Sequence, residues 1–151
     1  MKRLLLLFLF VCNMPTAFAQ FEKWEIHQAY QNTEQVEETS NYVFAVADSS
    51  LYAYGKEDKS VATYSRKNGL SDNKIKRIKY HASTHTLVIA YRNGNIDLLG
   101  DGGSYNLPFL KNNTSIQNKT PNDIYFHQDY AYLSSETGIV VINLKKKEIS
   151  D

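Results

Sequence analysis

The chain has 151 residues, with 17 Lys+Arg against 16 Asp+Glu, a net charge of +1 and a single cysteine. That balance excludes the strong basic excess of a nucleic-acid module. One cysteine excludes an internal disulfide framework, so stability has to come from a single modest core.

The first segment, MKRLLLLFLFVCNMPTAFAQ, has a basic start (Lys2, Arg3), an apolar run from Leu4 to Val11, and Ala17-Phe18-Ala19 ahead of Gln20. This is the layout of a secretory signal peptide over residues 1–19, with cleavage after Ala19. The apolar run is shorter than the ~20 residues a spanning helix needs. Val11 is too bulky for Cys12 to serve as a lipoprotein anchor. Losing Lys2 and Arg3 takes Lys+Arg from 17 to 15 against 16 acids, which moves the net charge from +1 to −1. Cys12 leaves with the signal peptide. The mature chain, from residue 20 to 151, contains no further stretch of membrane length and is expected to have no transmembrane segment. The sequons at Asn112, Asn113 and Asn118 read as loop composition.

After an aromatic opening strand, KWEIHQAY, short runs rich in Val, Ile and Tyr follow one another. In chain order they are residues 42–48, 50–55, 60–65, 77–80, 86–91, 96–99, 124–127, 130–135 and 139–144. Turn residues separate them, and no segment keeps a helical period beyond about two turns. Asn93-Gly94 is the strongest hairpin signal, on the expectation that both turn positions take positive φ.

The strands repeat. TLVIAYRNGNIDLL (86–99) aligns with AYLSSETGIVVINL (131–144), with one residue added in the turn and Gly94 opposite Gly138. SLYAYGKEDKSVATYS (50–65) fits the same hairpin, and NKIKRIKY (73–80) matches NDIYFH (122–127). Leu51 to Leu87 is 36 positions, and Leu87 to Tyr132 is 45, the excess lying in PFLKNNTSIQNKTP (108–121). A period of roughly 40 residues built from three or four short strands is the mark of β-propeller blades. The fold class is therefore all-β, a partial propeller of about three blades. NGLSDNKIKRIKY (68–80) is the punctuation between two blades. Asn68-Gly69 ends one sheet, Leu70 plugs the groove beside it, Ser71 to Asn73 turn, and Ile75 and Ile78 begin the next inner strand. Lys74, Lys76, Arg77 and Lys79 are expected on its edges and outer faces. Ile149-Ser150-Asp151 reads as the start of the next such turn.

This motif resembles the two-component-regulator type of propeller repeat, G-L-S-x-N-x-[VI]-x-x-I followed by a strand. With the signal peptide, KWEIHQAY, NYVFAVADSSLYAYG and YAYLSSETGIVVINL, the chain from Trp24 to Asp151 resembles the N-terminal propeller of the PorZ family. The resemblance implies a non-catalytic binding or scaffold module of the type IX secretion system of Bacteroidota. It implies protein partners in a complex that processes cargo and attaches it to anionic lipopolysaccharide, and a place in the periplasm or at the outer-membrane surface. Three blades do not close a ring, since propellers have four to eight, so the chain reads as a fragment or truncated frame of a longer protein. KWEIHQAY would then lack the last blade that such an opening strand joins. The alternatives are the periplasmic sensor propeller of a hybrid two-component regulator and a propeller enzyme.

Few residues suggest chemistry. His81 and His85 have i, i+4 spacing, which converges on zinc in a helix but not across a hairpin turn. Asp97, Asp101, Asp123 and Asp129 could act as acid and base, yet no spacing pairs them, and Ser135 to Gly138 is a turn. No catalytic, cofactor-binding or metal residue is assigned, and no cofactor is expected. The eleven tyrosines suit half-buried strands, and for a ligand the strand-end residues Tyr91 and Tyr105 are the better placed. Lys145 to Lys147 read as a solvated turn between blades, with anionic polysaccharide as the sharper alternative.

Overall fold

The computed structural model describes residues 32–150. The signal peptide and the strand expected at Trp24 to Tyr30 lie outside the described residues. Within them the chain forms three four-stranded antiparallel sheets, each a meander without crossovers. The first blade is β1 (Thr33–Glu38), β2 (Tyr42–Ala47), β3 (Ser50–Gly55) and β4 (Val61–Tyr64). The second is β5 (Ile75–His81), β6 (Thr86–Tyr91), β7 (Ile96–Gly100) and β8 (Gly103–Leu107). The third is β9 (Pro121–His127), β10 (Tyr130–Ser135), β11 (Gly138–Asn143) and β12 (Glu148–Ile149). A 3₁₀ turn, Ala82–Thr84, links β5 to β6, and a single helical turn, α1 (Phe109–Asn112), follows β8. The first strands, β1, β5 and β9, lie beside one another, which makes them the inner strands of a partial propeller.

The core lies between blades. Phe44, Val46, Leu51 and Ala53 of the first blade pack against Ile75, Ile78, Leu87, Ile89 and Tyr91 of the second, with Leu70 of the linker among them. Val88, Ala90, Ile96, Leu98 and Leu107 turn the other way, onto Ile124, Ala131, Leu133, Ile142 and Leu144. Alternate side chains of a strand point to opposite faces. Strand β6 therefore feeds both seams, and each of its six residues is buried. This is why TLVIAY reads as a continuous apolar run rather than an alternating one.

The I-x-x-I spacing of the repeat has a structural cause. On a regular strand, residues three apart face opposite ways, yet Ile75 and Ile78 enter the same core. The β5–β6 register jumps between Ile75 and Arg77, leaving Lys76 as a bulge that restores the face. The same jump occurs in β1 between Thr33 and Gln35 and in β9 between Pro121 and Asp123. Inner strands here are bulged at one equivalent place.

Three local expectations are corrected. At Asn93-Gly94 only the glycine has positive φ, at 80°. The loop is a three-residue one, in which the Gly94 N–H bonds the Tyr91 carbonyl (3.0 Å) and Tyr91 N–H bonds the Asn95 carbonyl (3.0 Å), so a single left-handed position suffices. Ile149 is not part of a linker turn. It sits in β12, paired with Ile142 and packed on the second seam. Finally, of the four basic residues expected on the edges and outer faces of β5, Arg77 and Lys79 reach across to carbonyls of the third blade, while Lys74 stays exposed. The segment 108–121, which spaces the last two blades, packs against the second blade. Leu110 of α1 is buried, and a Cβ at Gly94 would come within 2.8 Å of Lys119 and 3.0 Å of Leu110. The insertion thus folds back over the β6–β7 turn.

Candidate functional site

The linker SRKNGLSDN (65–73) is built by short-range hydrogen bonds. Asn68 Oδ1 accepts the Ser65 N–H (2.6 Å) and hydroxyl (2.9 Å), while the Ser65 carbonyl accepts the N–H groups of Asn68 and Leu70, both at 3.0 Å. This turn aims Leu70 into the first seam. Beyond it, Asp97 Oδ2 accepts the Ser71 N–H at 2.8 Å and the Tyr91 hydroxyl at 2.6 Å. Asp97 Oδ1 accepts Asn106 Nδ2 at 2.8 Å. Both Asp97 and Tyr91 are 0% exposed. Burial, and then the Asp97 carboxylate, push the Tyr91 phenol well above its ordinary value, so it stays a donor.

Asp72 anchors the same corner from the linker. Its Oδ2 accepts Asn93 Nδ2 at 2.6 Å and Lys111 Nζ at 2.7 Å. Partial burial pushes its carboxyl up, but the Lys111 bond, then the Asn93 and Asn73 bonds and the Lys111 charge, outweigh it and bring the pKa down to about 2. Together these groups lock linker, β6–β7 turn and insertion into one polar corner, a structural arrangement rather than a reactive one.

The inner strands are cemented side by side. Gln35 Oε1 accepts the Ile78 N–H (2.9 Å) and Glu37 Oε2 the Tyr80 N–H (3.2 Å). One blade on, Arg77 Nε donates to the Asn122 carbonyl (2.6 Å) and Lys79 Nζ to the Ile124 carbonyl (2.8 Å). An inner strand has a free edge of N–H and C=O groups that need partners. Side chains from the preceding blade supply them, at equivalent positions but with opposite polarity.

The residues singled out in the sequence are dispersed. His81 Nδ1 meets Thr84 Oγ1 at 2.9 Å, and His85 Nδ1 meets the Tyr80 hydroxyl at 3.3 Å. Among the described residues no three His, Cys, Asp or Glu are grouped to hold a metal. Of the four aspartates, Asp97 is buried, Asp101 and Asp123 are exposed, and Asp129 pairs with Lys145 at 2.7 Å. Tyr91 faces the core and not a ligand, whereas Tyr105 is exposed with Lys147 Nζ 5.8 Å from its ring centroid. Lys146 lies 3.6 Å from Glu148.

One feature was not read from the sequence. Between the first two blades opens a cavity of about 480 Å³, lined by Tyr42, Phe44, Tyr64, Tyr80 and Leu87 and rimmed by three turns. Its lining comes from both blades, so no contiguous motif announces it. The aromatic wall is continuous, with Tyr42–Phe44 and Phe44–Tyr64 ring centroids 6.0 and 5.9 Å apart. Burial, then the nearby Tyr42, push the Tyr64 phenol upward.

Residues 43–151 match the family described as the type IX secretion system PorZ N-terminal β-propeller domain. The chain belongs to the PorZ N-terminal β-propeller family. Among solved structures it is similar to PorZ of Porphyromonas gingivalis, an essential surface component of that organism's type IX secretion system, at 36% identity and a TM-score of 0.80. The match covers 85% of this chain and 17% of the P. gingivalis protein, so the chain spans about a sixth of that relative. It is similar in fold to the extracellular domain of a one-component system from B. thetaiotaomicron, at 16% identity and a TM-score of 0.65, covering 84% of this chain and 18% of the other. A dihydro-haem d1 dehydrogenase shares the fold at 14% identity and a TM-score of 0.55, covering 79% of this chain and 27% of the other. No curated protein matches the chain. No helix among the described residues is long and apolar enough to cross a membrane.

Proposed function

We propose that the protein is an exported component of a type IX secretion system, in which this propeller is a non-catalytic module that binds partners at the cell surface. The observation that carries the reading is the family match over residues 43–151, supported by the likeness to the P. gingivalis surface component at 36% identity. The signal-peptide layout of residues 1–19 supports export. Its partners are proteins of the complex that processes cargo and attaches it to anionic lipopolysaccharide. The likeness to the one-component sensor domain is one of fold, at 16% identity, so the weight falls on secretion rather than signalling.

Deleting the gene in its own organism tests this. The expected result is type IX cargo retained unprocessed in the periplasm and missing from the surface, with both restored by the wild-type gene. Cargo processed and attached as normal would overturn the proposal.

A further inference from the structure

We infer that the cavity between the first two blades is a binding site for an uncharged hexopyranose ring. The inference stands on the cavity alone and does not rest on the secretion reading.

The cavity's volume, about 480 Å³, falls within the roughly 300–1,000 Å³ range of ligand pockets, and its lining mixes aromatic side chains with polar groups in comparable measure. On one wall stand the tilted rings of Tyr42, Phe44 and Tyr64; on the other are Tyr80, Leu87 and Leu99. Flat aromatic faces on the walls suit the apolar C–H faces of a pyranose. The rim is polar on both sides. Ser40 and Asn41 come from the β1–β2 turn and His85 and Asp101 from the second blade. These groups can both donate to and accept from a ring of hydroxyls. His85 spends only Nδ1, on the Tyr80 hydroxyl at 3.3 Å, which leaves Nε2 for a ligand. A phenyl side chain from a peptide would fill the walls but leave this double polar rim unused.

Charge narrows the ligand further. Among the described residues no lysine or arginine lines the cavity, and the formal charge they give it is the Asp101 carboxylate. Lys56 touches the rim through the Thr39 carbonyl at 2.6 Å, but it is paired with Glu38 at 2.6 Å. A carboxylated, phosphorylated or sulfated sugar would meet Asp101 without a compensating cation, and like charges in a partly enclosed site repel. The ring is therefore neutral.

The test uses the full chain and saturation-transfer NMR with methyl hexopyranosides and N-acetylhexosaminides, glucuronate and tyrosine amide as probes. A parallel arm uses neutral polysaccharides, mannan and dextran, to separate a polymer ligand from a free sugar. The expected result is saturable binding of one or more neutral probes, with no binding of glucuronate. Tyr42→Ala, at an exposed ring (43%), should weaken binding roughly tenfold; Asp101→Ala should also weaken it and leave the melting temperature unchanged. Polymer binding without monosaccharide binding would place the ligand in a glycan chain. The inference is overturned by absence of binding to any neutral probe, or by glucuronate or tyrosine amide binding as well as the neutral sugars. It is also overturned by binding that survives both substitutions. Should a variant fail to fold, the tyrosine-ring chemical shifts of the wild-type chain decide, because Tyr42, Tyr64 and Tyr80 must respond to the sugar.

Discussion

Asp97 carries a carboxylate into the seam between blades with three donors around it and, among the described residues, no ion pair. Removing one partner of such a group leaves the other unsatisfied, which costs more than the bond contributes. Tyr91→Phe should therefore lower stability by about 1–3 kcal/mol. Asp97→Ala, which strands Tyr91, Asn106 and the Ser71 N–H together, should cost more, about 3 kcal/mol or above. Urea unfolding checks both as a shift in midpoint at constant slope. The Asp72 carboxyl gives a pH signature. Its folded pKa, about 2, lies below the ordinary value of 3.8, so its stabilisation is fully present above pH ~4 and is lost as pH falls toward ~2. Lys111→Met should raise the Asp72 pKa in an NMR titration and shrink that acid-side loss, while an unchanged titration would contradict the assignment. Sequence gave no sign of this corner. Asp97 was visible as a carboxylate, but its donors arrive from β6, β8 and the linker, and nothing in their spacing brings them together. Tyr91 misled for the same reason, since a strand-end tyrosine looks solvent-facing until its hydroxyl finds a buried acceptor.

At the scale of elements, the turn at Gly94 and the inner-strand edges hold blades in place. Gly94→Ala adds a Cβ 2.8 Å from Lys119 and 3.0 Å from Leu110 at a φ of +80°, so strain and collision add. The expected loss is above the ~1 kcal/mol of a simple glycine replacement. A loss of that size or smaller would mean that the insertion does not lie on the turn. Arg77→Ala and Lys79→Met each remove a charge-assisted bond to an inner-strand carbonyl of the third blade, with an expected cost of about 1–2 kcal/mol. Amide exchange should speed up in β9 before β1, which distinguishes loss of the second seam from general unfolding. Strands β2 to β7 and β9 to β11 were legible because runs rich in Val, Ile and Tyr stand between turn residues. Strands β1 (TEQVEE), β8 (GSYNL) and β12 (EI) were not, being polar or Gly-containing and largely exposed. Their strand character comes from pairing with a neighbour and not from their own composition. The I-x-x-I spacing was readable as a motif, but its cause, a bulge at Lys76 repeated in β1 and β9, needed the register.

At the scale of the molecule, three blades share two seams, and the third blade turns Tyr125 (65% exposed) and Ile139 (63% exposed) away from its neighbour. Exposed apolar side chains on a sheet face favour association, so the isolated 151-residue chain should be marginal in solution and melt broadly. A sharp, reversible two-state transition at low concentration would count against that expectation. The repeat made the propeller legible from sequence, because each unit restates the same strands, turn and linker. The inter-blade cavity was not legible, because its walls belong to different repeats. As proposed above, this propeller belongs to a secretion component at the cell surface. The most direct test is an immunoblot of fractionated cells, with and without surface protease, using an antibody to residues 20–151. The expected result is a band in the outer-membrane fraction that is protease-accessible on intact cells. A band confined to the inner membrane, protected from protease, would contradict it and favour a sensor.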